Sequence, residues 1–102
     1  MRIVSGAVLE QWNRLGDDDV VARVLAGQTA LFEILMRRHN QRLYRTARAM
    51  TGDDRAAESA MVQAYLNAYA SLRDYHDTDR FATWLTRILV VECRRRLLRQ
   101  PN

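Results

Sequence analysis

The apolar positions of this chain recur in steps of three and four residues along most of its length. Phe32, Leu35, Met36, His39, Leu43, Ala47 and Met50 follow that period, with Arg38, Arg42 and Arg45 on the opposite side. The spacing predicts a long amphipathic helix with one stripe turned to a core. Thr51-Gly52-Asp53 breaks this helix and recaps a second one, in which Ala57, Met61, Ala64, Tyr65, Ala68 and Leu72 form the buried stripe. Residues 74–79 read as a short polar loop. A last helix begins near Arg80, where Phe81, Trp84, Leu85 and Ile88 fall at i, i+3, i+4 and i+7 and share a face. Upstream, Asp17, Asp18 and Asp19 supply a cap and first-turn negative charge for a helix over residues 20–26, stopped at Gly27. A further short helix is expected from Ser5 to Leu15, ending at Gly16. No segment alternates long enough to be a strand, so the expected class is all-α, a compact bundle of three to four helices. Residues 1–16 form an amino-terminal extension or short helix, and residues 17–100 the helical domain.

A length of 102 residues suits one domain with a compact core. No apolar run approaches a membrane span, and the amino terminus lacks the basic-then-apolar order of a signal peptide. The expected setting is therefore cytoplasmic, without membrane contact. The single cysteine, Cys93, lies among apolar residues and reads as a small core residue.

Charge changes the picture more. All sixteen basic residues are arginines, each able to make planar bidentate contacts with phosphate, carboxylate or guanine. Residues 53–79 carry two arginines against six acids, a net of −4, whereas residues 80–102 carry six arginines against Glu92, a net of +5. An acidic middle and a basic end imply two different partners or one internal pairing. Arg80, Arg87 and Arg94 recur every seven residues, a stripe roughly 20 Å long at the helical rise. A stripe of that length can follow a phosphate backbone, although a plain solvated face has the same charges.

Catalytic chemistry finds little footing. His39 sits on an apolar stripe and reads as a packed residue with a satisfied nitrogen. His76 lies near Asp77 and Asp79 but has no second histidine or cysteine at metal-ligand spacing. The aspartates at 17–19 lack the alternating ligands and glycine of a calcium loop. There is no glycine-rich phosphate loop and no nucleophile beside a base. Neither an enzyme nor a cofactor is expected. Phe81 reads as an anchor for the last helix; Trp84 either pins that helix to the bundle or stacks on unpaired bases.

The order of residues is more specific than the charges. Phe81-Ala82-Thr83-Trp84-Leu85-Thr86-Arg87-Ile88, ahead of Arg94, Arg95, Arg96 and Arg99, resembles region two of bacterial extracytoplasmic-function (ECF) sigma factors. Further matches run in register from Val21 to Arg99: Ala26-Gly27, Phe32, Leu35, Arg37-Arg38, Leu43, Ala47, Gly52-Asp53, Ala57-Glu58 and Tyr65-Leu66-x-Ala68-Tyr69. The resemblance implies a transcription initiation factor domain that binds core RNA polymerase, then recognises and melts the downstream promoter element. Glu58, Ser59, Val62, Gln63 and Leu66 would face the polymerase. Tyr75, His76, Thr78, Arg80, Thr83, Trp84, Arg87, Arg94, Arg95, Arg96 and Arg99 would face promoter DNA. An anti-sigma factor is a further possible partner of these surfaces.

This chain departs from the family at informative places. Where the family has an acidic residue and then Gln-Glu on the polymerase-facing helix, it has Ser59, Val62 and Gln63. The asparagine and aspartate often found near Val91 and Arg95 are missing. The base-reading loop, 74–79, is unusually acidic. The family's following helix-turn-helix domain is absent from this sequence, although Gln100-Pro101-Asn102 fits the start of a linker. These departures keep a second reading open, a degenerate sigma-like domain that binds an anti-sigma factor or other regulator without promoter activity. A third is a single domain of a longer sigma factor.

Overall fold

The longest helix forms where the sequence period is cleanest. A computed structural model describes residues 14–76 and 80–99. Among these residues the helices are α1 (Asp17–Leu25), α2 (Phe32–Thr51), α3 (Asp54–Ala70) and α4 (Phe81–Arg99). Short 3-10 turns, Thr29–Leu31 and Leu72–Asp74, lead into α2 and out of α3. The expected helix at residues 5–15 falls outside the described part, save for Arg14 and Leu15, which lie in a turn and a bend.

The α2–α3 corner follows from three residues. Gly52 closes α2 in the left-handed region at φ 72°, which a side chain would disfavour. Asp53 then caps α3, its carboxylate accepting from the Ala56 backbone N–H at 2.8 Å. Thr51 donates its hydroxyl back to the Ala47 carbonyl at 2.8 Å, holding the end of α2 against the turn.

Helices α2, α3 and α4 pack on one another pairwise, and α1 closes the bundle against α2 and the flanking turns. On α3 the buried line is mostly alanine: Ala57, Ala60, Ala64 and Ala68 are fully buried. Small side chains let neighbouring helices approach closely, so bulk comes from the partners Leu35, Leu43, Leu85 and Leu89, each 1% exposed or less. On α4 the centre of the buried line runs through Phe81, Leu85, Leu89 and Cys93, while Trp84 and Ile88 lie at its edge. The expected face is thus rotated slightly, because α4 must fill the groove between two helices. Burial pushes the Cys93 thiol up from its ordinary pKa, as suits a core residue.

Two expectations for α1 are corrected. Its cap is Gly16 and no side chain caps it; the three aspartates occupy the first turn. Asp17 turns inward, accepting from Arg38 at 3.0 Å and pairing with His39 Nε2 at 2.8 Å. Arg38 is therefore an interhelix tie, not a solvated residue of the outer face of α2.

Candidate functional site

The amino-terminal part of α4 meets the rest of the fold through aromatic rings. Phe81 is 2% exposed. Its ring lies 5.6 Å from His39, 5.3 Å from Tyr75 and 5.6 Å from Trp84. Tyr75 is edge-on to Trp84 at 5.4 Å and donates its hydroxyl to Asp18 on α1. The cluster fixes Tyr75 and the first turn of α4 against α1 and α2. It also separates the expected base contacts. Tyr75 is buried and its hydroxyl is engaged, so it is a packing residue of this cluster. Trp84 remains partly exposed, beside Asn67, Ile88 and Val91 in a shallow groove between α3 and α4. His76 and Arg80 are exposed, and Thr78 lies outside the described residues.

Thr83, Arg87, Arg94, Arg95 and Arg99 are exposed along α4. Among the described residues, Arg80, Arg94, Arg95 and Arg99 take part in no ion pair. The acids instead pair with α2: Asp17 with Arg38, and Asp54 with Arg48 at 2.8 Å. The internal pairing allowed by the charge pattern thus spares most of the basic end. Arg96 is the exception to the expected stripe. It turns into the bundle, 3.4 Å from the buried carboxylate of Glu92, and donates to the Ser59 carbonyl at 3.2 Å. It therefore links α4 to α3, and Glu92, only 4% exposed, was not marked by the sequence as a core residue.

The second expected surface is the outward face of α3. Glu58 and Ser59 are exposed, and Gln63 is half-buried with its amide donating to Asn67 at 2.9 Å. Val62 and Leu66 are 60% and 59% exposed. Together with Phe32, Met36, Tyr65 and Tyr69 they line a groove of about 540 Å³ between α2 and α3. Tyr69 packs edge-on against Phe32 at 5.2 Å. The Tyr65 hydroxyl donates to Asn40 at 2.9 Å, and burial pushes its pKa to about 12, so it stays a neutral donor. The contributions of Phe32 and Met36 were hidden in the sequence, where both read simply as core.

The Asp17 tie makes a pH-dependent contribution. Burial pushes the Asp17 carboxyl up, but the hydrogen bonds from His39 and Arg38 outweigh it and hold the group below its ordinary value. A depressed carboxylate contributes stability that is complete above the unfolded pKa of about 3.9 and is lost as pH falls through the folded value. Asp17→Asn is expected to cost about 1.5–3 kcal/mol at neutral pH, the range for charge-assisted hydrogen bonds. Melts of both proteins should converge as pH drops below about 4; a gap unchanged at low pH would assign the loss to something other than the carboxylate charge.

No group of three or more His, Cys, Asp or Glu among the described residues is placed to hold a metal. No helix there is long and apolar enough to cross a membrane.

Comparison with known proteins follows the same lines. The chain is 32% identical over 83 residues to the ECF RNA polymerase sigma factor SigM of Mycobacterium tuberculosis strain ATCC 25618 / H37Rv, over 81% of this chain and 42% of that protein. It is 32% identical over 81 residues to SigM of strain ATCC 35801 / TMC 107 / Erdman, over 79% of this chain and 41% of that one. It therefore spans only about two fifths of the length of these curated relatives. No solved structure matches. The family model for Sigma-70 region 2 matches residues 35–101, from within α2 through the end of α4. With that match over most of a helical bundle of the expected class, the chain belongs to the Sigma-70 region 2 family.

Proposed function

We propose that this domain docks on core RNA polymerase through α3 and holds the melted downstream promoter strand along α4. The observation that carries the reading is the division of the surface: an apolar face with exposed Val62 and Leu66 on α3, and a row of exposed arginines on α4. An apolar groove suits a protein partner, whereas the arginines suit phosphates. Trp84, partly exposed at the aromatic cluster, is positioned to stack on an unpaired base. The action is binding and strand capture, with no covalent step.

Binding to single-stranded promoter DNA is expected to weaken in Arg94→Ala/Arg95→Ala, with the fold intact by circular dichroism because both side chains are exposed. Each phosphate contact on a single strand contributes about 0.7 to the slope of log affinity against log salt, so the slope should fall by up to about 1.4. Unchanged affinity and slope would remove the row from the mechanism. The carboxylates missing at Ser59 and Gln63 favour one rival, a sigma-like domain that engages an anti-sigma factor without promoter activity. Binding to a purified anti-sigma factor, with none to polymerase or DNA, would replace the first reading with that one.

A further inference from the structure

The α4 arginines do not stand alone. A groove of about 500 Å³ runs along the side of α4 that faces α2, and its cations come from both helices: Arg87 and Arg94 from α4, and Arg42 from α2. No acidic side chain lines it. Thr83 and Thr86 also line the groove, though the Thr86 hydroxyl is turned back to the Ala82 carbonyl at 2.6 Å. Arg42 is exposed, and among the described residues it takes part in no ion pair. On the same helix Arg38 is tied to Asp17 and Arg48 to Asp54, while Arg45, like Arg42, is exposed and in no ion pair among the described residues but does not line the groove.

On the other side of α4 lies the shallow groove bordered by Asn67, Trp84 and Ile88. Arg87 and Val91 line both grooves, so they form the ridge between them. One side of that ridge offers guanidinium groups and the Thr83 hydroxyl, set beside Ala82 and Val90. The other offers an indole, an aliphatic side chain and an amide. A single nucleic-acid strand has the same division, with phosphates along one edge and exposed base faces along the other. A duplex, whose bases are stacked inside, presents no such second edge.

We propose that Arg42 is a phosphate-binding residue, completing with Arg87 and Arg94 a three-arginine groove for the backbone of a single strand whose bases cross the α4 ridge toward Trp84. This rests on the DNA-binding reading above and adds to it a residue from a different helix and a path for the strand. Because the contacts are to phosphate, binding should weaken as salt rises.

The test is a fluorescence titration of the full chain with a labelled single-stranded oligonucleotide and with the corresponding duplex, at several salt concentrations. Arg42→Gln is the test variant, Arg42→Lys retains the charge, and Arg55→Gln makes the same net-charge change on α3, away from the groove. Arg42→Gln should weaken single-strand binding about three- to tenfold at low salt and lower the salt slope by about 0.7. Arg42→Lys should keep most of the slope, and Arg55→Gln should change neither quantity appreciably. The wild type should prefer the single strand to the duplex. If Arg42→Gln loses no more than Arg55→Gln while Arg94→Ala/Arg95→Ala still weakens binding, the groove assignment is wrong and the α4 reading survives. If the wild type binds neither oligonucleotide, both fall. Equal loss on single strand and duplex would keep Arg42 as a phosphate contact but overturn the crossing path.

Discussion

Phe81→Ala is expected to cost about 3–5 kcal/mol of stability, the usual range for removing a buried aromatic ring. The ring is 2% exposed and touches His39, Tyr75 and Trp84, so its loss opens a cavity where three elements meet. A domain of this size has a total stability of about 5–15 kcal/mol, so the variant should lose a large share of it and melt at a markedly lower temperature. Trp84→Ala should behave differently. That ring sits at the edge of the cluster, and its removal should cost roughly half as much, about 1.5–2.5 kcal/mol. Its affinity for a melted promoter strand should fall by a further 1–3 kcal/mol, about five- to 150-fold, if one base stacks there. Thermal melts and single-strand titrations on the two variants separate the roles. A Trp84 variant as unstable as the Phe81 variant, yet normal in binding at low temperature, would make Trp84 a core residue only.

Val62→Asp/Leu66→Asp should lower affinity for core polymerase by at least about 30-fold, equivalent to roughly 2 kcal/mol, while leaving the fold nearly untouched. Both side chains are about 60% exposed and border the groove between α2 and α3, so charging them removes apolar contact without opening the core. The intrinsic helix cost of the two changes is below about 1 kcal/mol. Reversing the neighbouring departures from the family should work in the opposite direction. Ser59→Asp/Gln63→Glu would supply carboxylates where the family has them and should strengthen polymerase binding, most clearly at low salt. Gln63→Glu also removes the amide donor to Asn67, an effect confined to the surface of one helix. A titration at two ionic strengths distinguishes the contributions. Apolar loss should be nearly independent of salt, whereas charge gain should shrink as salt rises. A charged Val62/Leu66 variant that binds as well as wild type would move the docking surface elsewhere.

The two surfaces also account for the charge pattern. Acids from α1 and the start of α3 are matched with arginines of α2, and among the described residues Arg94, Arg95 and Arg99 of α4 take part in no ion pair. The positive end is therefore available to an external polyanion. The arrangement costs little stability, because exposed ion pairs contribute at most about 1 kcal/mol each.

The three long helices, the Gly52 turn, the Asp53 cap and most of the buried stripes of α2 to α4 were readable from local information, whereas Val20, Val21, Val24, Leu31, Ile34, Ala60 and Leu89 were not singled out as core. Periodicity of three and four residues, a glycine able to take positive φ and an aspartate three residues before an unpaired N–H are properties of neighbouring residues. The family resemblance, carried by residues in order, was equally local. What only the tertiary structure decided depended on residues far apart in the chain. Asp17 looked like a cap and Arg38 like a solvated charge until the packing of α1 on α2 placed them 3.0 Å apart. Tyr75 looked like a base reader, but it is buried under Phe81 with its hydroxyl on Asp18. Arg96 belonged to a basic stripe by spacing, yet its long side chain reaches the Ser59 carbonyl and the buried Glu92. Arg42 joined the α4 arginines only because α2 and α4 pack side by side. A helical period reports which face of one helix is buried; which polar side chains meet is set by the placement and rotation of neighbouring helices, and long flexible arginines extend that dependence furthest.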